Sequence, residues 1–97
     1  AVSAAGTADA STGNVQLDFA SGNYNYTVTG FGAGDVLNFP DDVAATVKNT
    51  NFTDGSVDVQ WAANGQVVLV TLTGLSNDAA LYSTNAFNTA FGAGSII

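Results

Sequence analysis

Eight aspartates and one lysine, Lys48, are the charged side chains of this sequence, which has no glutamate, arginine, histidine or cysteine. Asp41 and Asp42 are adjacent, and Asn49, Asn51, Asp54 and Asp58 follow in a turn-rich stretch. Carboxylate and amide oxygens are the ligands Ca²⁺ accepts, so Asp41, Asp42, Asp54 and Asp58 are the candidate calcium ligands. Asp and Asn also favour turns by bonding their own backbone, and the spacing and terminal Glu of an EF-hand loop are missing. Asp54-Gly55-Ser56 holds the residue types of an aspartic-protease motif in the wrong order and reads as a turn before a strand. Lys48 could activate a serine only if burial lowered its pKa, and nothing in the spacing argues for that. Gly30-Phe31-Gly32-Ala33-Gly34 lacks the following Lys of a phosphate cradle. No catalytic residue is assigned, and the chain reads as a non-enzyme.

Composition narrows the partners. A net charge of −7 with a single Lys leaves almost nothing to neutralise phosphates, which excludes nucleic acid and anionic membranes as main partners. The longest apolar run, Val67 to Leu72, is far shorter than the roughly 20 residues of a membrane-spanning helix, so no membrane insertion is expected. Without Cys or His, disulfides, thiol catalysis, thiolate zinc sites and the commonest metal ligand are all gone. Charged residues are 9% of the chain, against about 25% in an average domain, so the surface is polar but weakly charged. An acidic, cysteine-free chain rich in Gly, Asn and Thr points to a secreted or cell-surface bacterial protein.

The elements that must position these residues are mostly strands. Residues 1–13 read as a flexible N-terminal arm or an edge extension, and 14–97 as one β-rich domain. Val15, Leu17 and Phe19 alternate with polar residues, Gly22-Asn23 offers a two-residue turn, and Tyr24, Tyr26 and Val28 alternate again. That hairpin pairs Phe19 with Tyr26 and Leu17 with Val28. Asn64-Gly65 is a preferred type I′ turn pair and closes a second hairpin, setting Val57 opposite Leu72, Val59 opposite Val70 and Trp61 opposite Val68 on an apolar side. Its other side, with Val67, Leu69 and Ala62, is less polar than a solvated face. Shorter strands are expected at Asp35–Phe39 and Ala45–Asn49, with the glycines of 30–34 bending the chain between sheets.

A helix over about 77–91 is capped by Ser76 or Asn77, with Ala79, Tyr82, Ala86 and Ala90 on one stripe beside Phe87 and Phe91. The expected fold is mainly β, a small antiparallel β-sandwich or rolled sheet of about six strands with one C-terminal helix. Trp61, Tyr24, Tyr26 and Tyr82 are the sugar-stacking candidates. The registers turn Trp61 and Tyr26 inward and leave Tyr24 and Tyr82. Asn25-Tyr26-Thr27 and Asn51-Phe52-Thr53 match the glycosylation sequon.

The stretch from Thr29 to Phe39, with Phe31-Gly32-Ala33-Gly34-Asp35-Val36-Leu37 as its turn into a strand, and the tail from Leu72-Thr73-Gly74-Leu75 on to Phe87 through Ile97 resemble the C-terminal regions of bacterial type I-secreted proteins, including RTX-like and surface-layer-like proteins. The resemblance implies export without a cleaved N-terminal signal and a surface or matrix destination, and it implies no catalytic residue. The glycine-aspartate nonapeptide repeats of RTX proteins are missing, so their calcium roll is not carried over. The functional expectation is a non-catalytic extracellular structural protein that self-associates as a fibre, surface-layer or matrix subunit. Copies of itself are the expected partner, through Val67, Leu69 and the apolar termini at Ile96 and Ile97. The alternative is a calcium- or carbohydrate-binding terminal module of a larger secreted bacterial protein, with calcium as cofactor or a glycan as partner.

Overall fold

A computed structural model of the chain describes residues 2–48, 55–75 and 80–97. The fold is mainly β, and the described residues form seven strands in two sheets and one short helix near the C-terminus. The strands are β1 (Gly6–Asp9), β2 (Gln16–Asp18), β3 (Tyr24–Thr29), β4 (Val36–Asn38), β5 (Thr46–Val47), β6 (Val57–Ala63) and β7 (Gln66–Thr73), followed by α1 (Thr84–Phe91). The five-stranded sheet has the order β1-β3-β7-β6-β5, and β2 pairs with β4 in the other sheet.

The β6–β7 hairpin forms as its sequence dictates. Asn64 (φ 53°) and Gly65 (φ 76°) take the two left-handed positions of a type I′ turn. The register sets Val57 opposite Leu72, Val59 opposite Val70 and Trp61 opposite Val68. All six side chains are buried, and the indole N–H of Trp61 donates to the Pro40 carbonyl at 3.1 Å.

The first expected hairpin does not form, and with it the all-antiparallel description fails. β2 pairs in parallel with β4, and β3 lies between β1 and β7, parallel to both. Among the described residues only β5–β6 and β6–β7 are antiparallel. After β2 the chain crosses from one sheet to the other, and the Tyr24 hydroxyl fastens the crossing by bonding the carbonyls of Ala20 (2.6 Å) and Val2 (2.9 Å). Alternation marks which side of a strand is apolar but not which strand lies beside it. Phe19 and Tyr26 do meet, edge to face at 5.6 Å, but across the core from different sheets. Phe19 also stacks on Phe39 at 5.0 Å.

Residues 6–9, part of the expected flexible arm, run as an edge strand. Gly6 lies close against β3, where a Cβ would sit 3.0 Å from the Tyr26 ring. Val2 bridges to Phe19, and Ala10 is buried. The C-terminus is likewise not loose. Leu37 N–H donates to the Ser95 carbonyl, Ile97 N–H to that of Leu37 and Phe39 N–H to that of Ile97. Val2 and Ile96 thus flank β2 and β4, each bridged in parallel.

The Gly-rich loop carries the chain from β3 to β4 across the two sheets. Gly30 has φ 70°, and a Cβ there would lie 2.6 Å from that of Ser11, so both conformation and space demand glycine. The Asp35 side chain is buried and accepts from the N–H groups of Val15 and Gly32, both at 2.9 Å. The Asp of the Phe31–Leu37 motif is therefore a clamp that joins the loop to the start of β2. Phe31 packs against Phe87 and Phe91 at 5.5 and 5.2 Å, seating α1.

The helix is shorter than expected from sequence. Ser83, in extended conformation, accepts from the Ala86 N–H at 3.1 Å and starts the helix at Thr84. The expected caps Ser76 and Asn77 lie outside the described residues. The core-facing residue is Phe87, whereas Tyr82 precedes the helix and is 65% exposed.

Trp61→Ala is expected to cost about 3 to 5 kcal/mol in urea unfolding, and a negligible loss would contradict its place in the core. Asp35→Ala strands two half-buried N–H groups and is expected to cost about 1 kcal/mol in the same assay.

Candidate interaction surface

The outer face of the five-stranded sheet follows from the strand registers. Thr7, Thr27, Thr71 and Asp58 stand side by side across four strands, and Asn25, Leu69, Gln60 and Thr46 form the adjacent row. Val67 and Ala62 lie beyond them, next to the hairpin turn. Val67 is 40% exposed, and Leu69 is half-buried between Asn25 and Gln60. The Thr71 hydroxyl donates to the carboxylate of Asp58, its direct cross-strand neighbour, at 2.8 Å.

The two edges of this sheet differ. At β5, the outward Val47 N–H donates to the Thr84 hydroxyl at 3.2 Å, so the start of α1 covers that edge. At β1, the Ala10 N–H donates to the Thr29 carbonyl. Strand alternation then turns the peptide groups of Ala8 toward β3 and those of Thr7 and Asp9 away from it. Among the described residues nothing pairs with that side of β1. The sequence offered residues 1–13 as an arm or an edge extension, but the bounds and partner of this strand were not legible because Gly6, Thr7, Ala8 and Asp9 offer no apolar alternation. The one available signal was small residues, Ala8 and Ala10, alternating with polar ones.

The structure disperses the sequence-derived candidates. Val67 and Leu69 are on the outer face of the five-stranded sheet, while Ile96 (half-buried) and Ile97 (55% exposed) belong to the other sheet. Asp41 and Asp42 are exposed in a turn, and Asn64 donates to Asp42 at 3.4 Å. Asp58 is six residues before Asn64 along β6, about 20 Å at the rise of a strand, so Asp42 and Asp58 cannot share one ion. Asp54 lies outside the described residues. Among the described residues no group of three or more acidic, His or Cys side chains is placed to hold a metal. Of the aromatic candidates, Trp61 and Tyr24 are buried and Tyr26 is half-buried, which leaves Tyr82 beside Ala86 and Thr89 on the helix side. No helix among the described residues is long and apolar enough to cross a membrane.

Two surface carboxylates are held below the usual 3.8: Asp9 by hydrogen bonds from the Ser11 side chain and N–H, and Asp18 by those from Gln16 and then Asn38. Burial pushes the Tyr24 phenol above its usual 10.0. No protein-family model, curated protein or solved structure matches the chain.

Because their folded values are lowered, the stabilisation from Asp9 and Asp18 is complete above pH 3.8 and is lost as pH falls through those lowered values. The urea midpoint is expected to drop on acidification below that point, and to drop less in Asp18→Asn. An equal acid response in the two proteins would remove Asp18 from the account.

Proposed function

We propose that this chain is a non-catalytic extracellular structural module that associates with copies of itself as a subunit of a fibre, surface layer or matrix. The observation that carries the reading is the open β1 edge, a row of peptide groups ready to accept another strand. The covered β5 edge gives the sheet one direction in which to grow. A single two-fold contact closes as a dimer, so larger assemblies need a second surface. The weakly polar patch at Val67, Leu69 and Ala62 supplies it. The resemblance to type I-secreted bacterial proteins supports an exported destination.

The net charge of −7 opposes association at low salt, so assembly strengthens as ionic strength screens it. Light scattering and negative-stain electron microscopy across protein concentration and salt test the reading. Particle size is expected to rise with both, and a monomer under every condition contradicts it. Val67→Asp is expected to stop growth beyond small oligomers while leaving the melting temperature nearly unchanged. Exposed Tyr82 favours a second reading as a glycan-binding module. On that reading Tyr82→Ala abolishes retention on a polysaccharide matrix and leaves particle size alone.

A further inference from the structure

We propose that two copies join through β1, paired antiparallel about a two-fold axis at Ala8, so that their five-stranded sheets run on as one. This inference rests on the self-association reading and names its contact. The peptide groups that β1 turns outward belong to Thr7 and Asp9, two residues apart. A two-fold axis at Ala8 sets each Thr7 opposite the partner's Asp9, and in that register the outward groups of both strands bond one another.

The side chains agree with the same register. The Thr7 hydroxyl faces the partner's Asp9 carboxylate across the joint. The same donor and acceptor types already meet within each copy, where the Thr71 hydroxyl donates to its cross-strand neighbour Asp58 at 2.8 Å, there in a non-hydrogen-bonded pair, whose side chains stand closer. Asp9 accepts from Ser11 N–H through Oδ1, and the roughly four lone-pair sites of a carboxylate leave room for a further donor. Asp9 is the one charge on β1, and the register holds it away from the partner's Asp9. Gly6 and Ala8 put no bulk in the way, and the strand has neither Pro nor Lys, two residues that protect sheet edges. A second copy therefore suits this edge better than an unrelated strand, because Thr7 and Asp9 complement each other only when the same sequence returns in the opposite direction.

The native chain has no cysteine, so single substitutions report the contact without background. Residues on the axis lie within disulfide range across an antiparallel pair. Under mild oxidation, Ala8→Cys is expected to give a disulfide-linked dimer and Thr7→Cys much less of one. Thr7→Asp sets like charges opposite each other twice per joint and is expected to weaken association roughly tenfold, whereas Thr7→Lys, whose edge-protecting charge is here matched by the Asp9 opposite it, preserves it. Thr7 is exposed, so circular dichroism and the melting temperature should stay at the native values in both charge variants. Three results overturn the proposal. Preferential cross-linking of Thr7→Cys sets a different register, and association indifferent to both charge variants moves the contact to another surface; either leaves self-association standing. A native chain that stays monomeric at high salt ends both readings and leaves Asp9 as a guard that keeps the edge unpaired.

Discussion

The burial of one face of the β6–β7 hairpin is the constraint on which the rest of the molecule depends. Val57, Val59, Trp61, Val68, Val70 and Leu72 present a continuous apolar surface, and all are withdrawn from solvent. A two-stranded ribbon cannot cover such a face by itself. Three sets of residues close over the core. β3 extends the sheet beside β7, the second sheet contributes Leu37, Phe19 and Phe39, and α1 adds Phe87. The helix position then follows from Phe31, whose ring meets both helix phenylalanines and is itself placed by the glycine loop and the Asp35 clamp.

This arrangement leaves the two ends of the five-stranded sheet unequal. Packing α1 beside β5 brings Thr84 to the Val47 N–H and ends the sheet there. On the far side, among the described residues, the sheet ends in β1, four small or polar residues that extend it without capping it. In the proposed assembly its outward peptide groups pair with a partner strand. The weakly charged outer face adds little electrostatic discrimination, apart from the long-range repulsion set by the net charge of −7.

Legibility in the sequence tracked how local the deciding interaction was. The second hairpin was legible down to register, because Asn64-Gly65 dictates the turn and the turn dictates the pairing. β4 was placed to within a residue at each end by the glycines before it and Pro40 after it. The pairing of β2 and β3 was not legible. Their alternation marks an inward face, and the parallel partners that cover them lie far along the chain. Helix onset depended on Ser83, one of several capping residues in the stretch, and Ser83 is the one that bonds Ala86. Of the candidate surface, the exposed Val67 and the half-buried Leu69 were legible from the hairpin register. The β1 edge was legible only as one of two readings of residues 1–13, an arm or an edge extension, since its strand character comes from β3 beside it rather than from its own residues.

Amide hydrogen exchange at Thr7 and Asp9, followed by NMR as protein concentration is raised at high salt, tests the central claim most directly. The account predicts that both N–H groups exchange rapidly in dilute solution and become protected as copies associate, while the Ala8 N–H, turned toward β3, is protected throughout. Growth in particle size with Thr7 and Asp9 still exchanging freely would contradict it.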